Sequence, residues 1–313
     1  MNEKNTNKPS TLDEEIDLRE LFYVLLKGKW IILSVTAFAS IIAIIYSLSL
    51  PNIYESRSLL VPVNKSSSIS GTLQRYSGIA GLAGINIPSS ANDDNSAKAI
   101  TKIRSLSFFE NNILPNIHLP ELMAYKAWNS ETNTSVLDEN IFDYKNNSWV
   151  RNYSFPMQQI PSAQESYKVF LRHLSFSEDK KFGFITLSIK HQSPFIAKQW
   201  SELVVNEVNS FYRLKDKLES EKTVDYLKNQ ISISNLTEIK ETLAKLVQEE
   251  TKKLALIEAN QFYVFDYIDP PAVMEIKSEP KRSTICIMGA LLGILLSIIF
   301  VLVRQYAFGD KAL

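Results

Sequence analysis

Residues 30–50 read WIILSVTAFASIIAIIYSLSL and contain no charged residue. An α-helix rises about 1.5 Å per residue, so a run of this length spans roughly the 30 Å hydrocarbon core of a bilayer. A second uncharged run of the same length, STICIMGALLGILLSIIFVLV, covers residues 283–303. Lys29 precedes the first run, and Arg282 and Arg304 flank the second. The sequence therefore predicts two transmembrane helices.

These two runs divide the chain into five segments. We expect an N-terminal tail over 1–29, a span over 30–50, a large loop over 51–282, a span over 283–303 and a C-terminal tail over 304–313. The apolar run of a cleaved signal peptide is shorter, about 7–15 residues, so the first span is predicted to be an uncleaved anchor. Both tails share one side of the membrane. Basic residues are balanced between the two sides, so charge alone leaves the orientation open.

Composition argues against several classes of protein. The 34 Lys and Arg residues balance 34 Asp and Glu residues, so no positive field attracts nucleic acid. A single cysteine excludes a disulfide framework, and three scattered histidines do not suggest a metal site. The nine glycines form no phosphate-binding loop. We expect no catalytic group, no cofactor and no metal, and hence no enzyme.

Small residues recur at every fourth position in both predicted spans. They are Ala39, Ala43 and Ser47 in the first span and Gly289, Gly293 and Ser297 in the second. Residues of this size let helix backbones approach closely in lipid, where packing drives association. The pattern predicts helix packing, either between the two spans of one chain or between subunits.

The loop predicts an α+β domain. Residues 52–63 and 182–190 have the apolar and β-branched content of strands, and 182–190 alternates between two faces. A long helix is predicted over about 194–230, and a second over about 236–260 with Asn235 as its cap. The apolar face of the long helix consists of Trp200, Leu203, Val204, Val208, Phe211, Leu214 and Leu218.

Two parts of the loop are candidates for contact between subunits. In an isolated protomer, a helix of this length would leave its one apolar face exposed to solvent. Leu203, Val208 and Phe211 are therefore predicted to contact a neighbouring copy. The second candidate is an apolar, glycine-spaced segment that contains Gly78, Gly81 and Gly84. This segment is either a surface that meets a subunit or the membrane, or a loop with a small packed turn.

Several stretches together resemble a known family. They are DLREL at 17–21, KGKW at 27–30, GIAGLAGI at 78–85, IRSLSFF at 103–109, YVFDYIDPP at 263–271 and KSEPKR at 277–282. This pattern resembles the Wzz chain-length determinants, the polysaccharide co-polymerases of Gram-negative inner membranes. The resemblance covers about residues 14–305 and is weakest over 127–165. Its most specific parts are GIAGLAGI and the membrane-proximal motif with Pro270, Pro271, Pro280, Lys281 and Arg282.

The resemblance implies an inner-membrane protein with cytoplasmic tails and a periplasmic loop. That loop would be an α/β base near the membrane with a long projecting helix. Several copies would form a ring or bell that acts with a Wzy-type polymerase and sets the modal length of O-antigen. The bilayer and the growing lipid-linked polysaccharide are the other expected partners. The polymerase would make the glycosidic bond, and the short tail after residue 303 leaves no room for the kinase domain of one family branch.

Three alternatives remain at this point. The nearest is a co-polymerase for the assembly or export of exopolysaccharide, capsule or common antigen, which the sequence does not separate from an O-antigen regulator. A two-span periplasmic sensor is more distant, because both predicted tails are too short for a signalling module. A membrane-anchored enzyme that modifies glycans would need convergent acids or a metal site in the loop, and the sequence shows neither.

Overall fold

The computed structural model describes residues 18–63, 95–179 and 181–308. The chain divides into two compact units. The span unit comprises residues 1–52 and 279–313, and the loop unit comprises residues 53–278. The glycine-spaced segment with Gly78, Gly81 and Gly84 lies outside the described residues.

The helices and strands follow the chain in this order. The helices are α1 Leu18–Lys27, α2 Lys29–Ser49, α3 Asn95–Ile103, α4 Leu106–Phe108, α5 Leu119–Met123, α6 Ala163–His173, α7 Pro194–Ile233, α8 Thr237–Ala259 and α9 Arg282–Phe308. A π-helical turn, Phe109–Ile113, and a 3₁₀ turn, Leu114–Asn116, follow α4. The strands are β1 Tyr54–Pro62, β2 Tyr125–Asn129, β3 Thr134–Leu137, β4 Phe142–Asp143, β5 Ser148–Trp149, β6 Leu174–Asp179, β7 Phe184–His191 and β8 Phe265–Asp269.

The span unit contains α1, α2 and α9. Helices α2 and α9 are long and apolar enough to cross a membrane, and their bounds lie close to the predicted spans. Helix α1 lies in the segment predicted as a tail. Its sequence places Leu18, Leu21 and Leu25 at the i, i+3, i+7 spacing of a helix face. This pattern is shorter and weaker than the uncharged apolar run that follows it.

The loop unit contains a four-stranded sheet in the order β6-β7-β1-β8. All three pairings are antiparallel. The alternation predicted for residues 182–190 is confirmed, since Ile185, Leu187 and Ile189 are all buried. The sequence did not predict strand β8, which pairs with the same strand β1 that follows the first span.

Helix α7 packs against this sheet through its N-terminal half. Ser193 caps it by accepting a hydrogen bond from the Ile196 amide at 3.4 Å, and Pro194 occupies the first turn, where its missing N–H is tolerated. The Ser58 and Ser201 hydroxyls, 2.8 Å apart, join β1 to α7 inside the core. Helix α8 begins at Thr237 without a side-chain cap, so the prediction that Asn235 caps it was wrong.

The side chain of Asn209 on α7 holds the chain where it returns to the sheet. Its Oδ1 accepts hydrogen bonds from the amides of Tyr263, Val264 and Phe265 at 2.7–3.2 Å. Its Nδ2 donates to the Phe265 carbonyl at 2.9 Å. A buried amide donor without a partner costs about 1–3 kcal/mol, so this one side chain satisfies groups that the core could not otherwise accommodate.

Residues 127–165, for which the sequence predicts no element, contain strand pairs and a tied loop. Strands β2 and β3 form one hairpin, and β4 and β5 form another. Arg151 makes a bidentate pair with Glu165, at 3.0 and 2.8 Å. It also donates from Nε to the Gln159 carbonyl at 2.9 Å. The Arg151–Glu165 pair thus ties the loop between β5 and α6 through residues 14 positions apart, which no periodic pattern in the sequence indicates.

We expect Asn209→Ala to lower the free energy of unfolding of the full chain by about 3 kcal/mol, because it leaves several buried amides without an acceptor. Urea denaturation of the protein in lipid nanodiscs measures this loss. Asn229→Ala, at an exposed position on the same helix, is the matched control and should change stability by less than about 0.5 kcal/mol. Equal effects of the two substitutions would contradict the role given to Asn209.

Candidate functional site

The small residues of the two spans face each other. A Cβ atom added at Gly289 would overlap the Cβ atom of Ala43. One added at Gly293 would come within 2.8 Å of the Ala39 Cβ atom and 3.2 Å of the Thr36 Cα atom. Helices α2 and α9 therefore pack within one protomer along the predicted small-residue positions. Ser47 and Ser297, which complete the pattern, are buried in the same seam.

Gly28, between α1 and α2, extends this seam beyond the predicted positions. A Cβ atom at Gly28 would lie 2.6 Å from Cγ1 of Val301. Val301 continues the four-residue spacing of Gly293 and Ser297. Gly28 precedes Ala39 by three helical turns of about 3.6 residues each. Sequence reasoning missed Gly28, although this spacing along the helix would have indicated it.

The remaining surface of the two spans is apolar. An open groove along α2 and α9 is lined by Ala39, Ala43, Tyr46, Met288 and Leu292, among others. Large side chains such as Phe38, Ile45, Leu291 and Leu295 point outward. This surface suits contact with lipid chains or with another apolar helix.

We expect Ala43→Leu to destabilise the pairing of α2 with α9, because a larger side chain meets Gly289 where there is no space. Overpacking of this kind costs about 1–3 kcal/mol. The measurement is the midpoint of thermal unfolding in lipid nanodiscs. Ala37→Leu introduces the same side chain at an exposed position of the same helix and should leave the midpoint unchanged. A similar loss in both variants would show that the seam does not depend on small residues.

The N-terminal half of α7 is committed to its own core. Val208 is 0% exposed and belongs to the main hydrophobic cluster of the loop unit. Leu203 and Phe211 pack against that cluster, and the Phe211 ring meets the Phe108 ring edge-on at 5.9 Å. The prediction that Val208 contacts a neighbouring subunit was therefore wrong. Leu203 and Phe211 are partly buried, because each packs against this cluster.

The C-terminal half of α7 carries apolar residues that the described part of the chain leaves exposed. Leu214 is 58% exposed and Leu218 is 48% exposed. Since they are four residues apart, they lie on the same face of the helix. We call these two residues the outer leucine pair. Of the seven apolar residues predicted on this helix face, these two are the ones classed as exposed.

Helix α8 covers the opposite side of this part of α7. Val224 and Leu227 of α7 and Leu243 and Ile257 of α8 are buried in the hairpin. The Tyr263 hydroxyl donates to Asp216 Oδ2 at 2.6 Å, and burial raises the pKa of Tyr263. Lys217 pairs with Glu258 at the surface, where such pairs contribute little. Apolar packing and the Tyr263 bond therefore hold the hairpin together.

The membrane-proximal motif divides between the two units. In the loop unit, Pro270 is exposed and Pro271 is buried. There the Ala272 carbonyl accepts from the Ser56 hydroxyl at 2.9 Å. In the span unit, Pro280 and the exposed Lys281 precede α9, and Arg282 begins it. The Arg282 guanidinium donates to Asn52 Oδ1 at 3.2 Å, so the ends of the two spans are linked.

The described residues were also searched for metal ligands. Within residues 18–63, 95–179 and 181–308, no group of three or more His, Cys, Asp and Glu side chains is placed to hold a metal ion. Cys286 lies in the second span with a free thiol. The arrangement provides faces for helix packing.

We compared the chain with known families and solved structures, and two of the matching structures are described with the family. Residues 14–111 match the family model of Wzz, described as chain length determinant protein. A full-length bacterial polysaccharide co-polymerase is 15% identical with a TM-score of 0.41, and the match covers 95% of this chain and 100% of that one. A fragment of WzzB, the polysaccharide co-polymerase from Salmonella Typhimurium, is 12% identical with a TM-score of 0.31, over 73% of this chain and 100% of that one. None of the curated proteins compared with this chain matches it.

Proposed function

We propose that this chain, whose residues 14–111 match the family model of the Wzz chain length determinants, sets the modal length of O-antigen. It does so as an oligomeric inner-membrane scaffold that acts with a Wzy-type polymerase. At the coarser level, the chain is a polysaccharide chain length co-polymerase, and proteins of this family are scaffolds without catalytic activity. The match to the Wzz model is the observation that carries the proposal.

The matched segment includes elements that anchor and build the fold. It covers α1, the span α2, the strand β1 and the helix α3. Two apolar helices long enough to cross a bilayer are consistent with an inner-membrane protein. We place the tails in the cytoplasm and the loop unit in the periplasm, where the growing lipid-linked polysaccharide is found.

The outer leucine pair is the proposed contact between copies. About half of each leucine side chain is exposed to water. Burying a leucine side chain fully stabilises a protein by roughly 1.5–3 kcal/mol, so covering this face would favour association. A ring or bell of several protomers would cover this face with the neighbouring copy. The pair joins Leu203 and Phe211, which are partly exposed, as the proposed oligomer contact on α7, whereas Val208 is buried. The glycine-spaced segment with Gly78, Gly81 and Gly84 is retained as a second proposed contact.

The direct experiment compares surface polysaccharide in a strain that lacks this chain with the same strain carrying it on a plasmid. We expect a modal cluster of O-antigen bands on a silver-stained gel only when the chain is present. An unchanged O-antigen ladder would refute the proposal. A change in the size of capsule or exopolysaccharide, with the O-antigen ladder unaltered, would favour the alternative co-polymerase function.

We expect the double substitution Leu214→Gln and Leu218→Gln to weaken assembly and broaden the band cluster, since it removes the apolar contact without breaking the helix. Chemical crosslinking in intact membranes measures the oligomer, and the gel measures the band distribution. Lys222→Gln with Lys228→Gln changes two exposed positions of the same helix and is the control. Normal crosslinking of the leucine variant, at normal expression, would move the contact elsewhere.

A further inference from the structure

Two of the three histidines of the chain lie together in the core of the loop unit. His173 ends α6 and His191 ends β7. Their ring centroids are 5.5 Å apart, and the Trp200 ring lies 5.6 Å from one and 5.0 Å from the other. His191 is 2% exposed. We call these two residues the histidine pair.

The hydrogen bonds of His191 require a neutral ring. Its Nδ1 accepts from the backbone amide of Ser193 at 3.0 Å, and an amide N–H cannot accept in return. Nδ1 is therefore unprotonated, and the ring also hydrogen-bonds the Glu121 backbone. Ser193 is the residue whose hydroxyl caps α7. If Nδ1 carried a proton, its N–H and the Ser193 amide N–H would both be donors and would repel each other. This would occur at the start of the 40-residue helix.

His173 is tied to the same strand. Its Nδ1 lies 2.6 Å from the Lys190 carbonyl oxygen, which only accepts, so this nitrogen carries the proton. A second proton would enter on Nε2 and create a positive charge 5.5 Å, between ring centroids, from His191. Because Lys190 and His191 are adjacent, the charge state of either ring acts on the same end of β7.

The surroundings of the histidine pair offer no compensating negative charge. Arg172 of α6 adds a positive charge beside His173. On the other side the Tyr125 ring of β2 meets His191 edge-on at 4.3 Å, and burial raises the pKa of that tyrosine, which keeps it neutral. The Glu121 carboxylate of α5 accepts from Ser135 at 3.0 Å. No ion pair joins a carboxylate to either imidazole in the part of the chain that the structure describes.

The strand on the other side of β7 has its own charges. Glu55 of β1 stands opposite Lys190 in the sheet and pairs with Arg57 at 2.9 Å. That pair holds the pKa of Glu55 below its usual value. Helix α7 contributes the uncharged Trp200 to the pocket. The groups that face the histidine pair are thus cations, neutral rings or carboxylates engaged elsewhere.

We propose that the histidine pair makes this protein sensitive to acid, because protonation breaks the Ser193–His191 bond and loosens the N-terminus of α7. Burial lowers the pKa of both rings, and the nearby His173 lowers that of His191 further, to about 3. In the unfolded chain the value is near 6.5. The unfolded state therefore binds more protons below pH 6.5, so stability is complete above that pH and falls as the pH falls.

The expected size of the effect follows from proton linkage. Each histidine lowers the folding equilibrium constant by up to about tenfold for each pH unit below 6.5. In a periplasm, where the proposed function places the loop unit, this range is reached when the surroundings become acidic. The biological consequence rests on that proposed location, whereas the physical effect does not.

The test is hydrogen exchange of the full chain in lipid nanodiscs at pH 7.5 and 5.5, corrected for the intrinsic effect of pH. We expect peptides covering residues 191–200 to lose at least tenfold of their protection at pH 5.5. His191→Asn keeps an oxygen acceptor for the Ser193 amide and cannot be protonated, so it should remove the part of this loss that His191 causes. His118→Asn removes the exposed third histidine and should behave like the unaltered protein.

The same loss in all three proteins would overturn the proposal. If His191→Asn does not fold, the unaltered protein still decides, because equal corrected protection at the two pH values is contrary to the proposal. Urea denaturation over the same pH range provides an independent measurement. Neither measurement involves polysaccharide, so a negative result leaves the chain-length proposal standing, and an unchanged O-antigen ladder leaves the acid response standing.

Discussion

The loop unit depends on burial of the N-terminal half of α7 against the four-stranded sheet. Trp200, Val204, Val205 and Val208 are all at most 1% exposed, and all four belong to the main hydrophobic cluster. This contact determines where Asn209 meets the returning chain and where the hairpin with α8 begins. If α7 were detached, the amides of residues 263–265 would lose their acceptor and β8 its position.

The same helix changes character along its length. Its first half faces the sheet, whereas its second half packs against α8 and is bonded through Asp216 to the Tyr263 hydroxyl. We therefore expect substitutions in the first half to destabilise the core, whereas the outer leucine pair lies outside the core cluster. In the span unit the seam of small residues is likewise internal, which leaves the outward apolar faces of both helices for lipid or for other copies.

The reliable predictions came from long, regular patterns. Two uncharged runs predicted α2 and α9, and alternation predicted β7. Small residues at every fourth position, such as Ala39 and Ala43 in one span and Gly289 and Gly293 in the other, predicted helix packing. The failures have a common physical reason. The apolar face of α7 is buried in the core over its first half and exposed at Leu214 and Leu218. Because the sequence does not show where this burial ends, Val208 was predicted to contact another subunit. Asn209 and the Arg151–Glu165 pair act between distant residues and produce no local pattern.

The histidine pair illustrates the same limit. Nothing in the sequence places His173 beside His191, because the pairing of β6 with β7 creates the proximity. The family resemblance indicated what composition could not, namely a chain length determinant, and residues 14–111 match the family model of that description.

The position of β1 in the sheet has a consequence for biosynthesis. This strand emerges from the ribosome soon after the first span, yet both of its partners, β7 and β8, lie far downstream in the chain. Its two edges therefore stay unpaired until most of the loop has been made, and an open strand edge invites pairing with other chains. Nascent copies need shielding during that interval, and synthesis of the loop must run nearly to its end before the sheet can close.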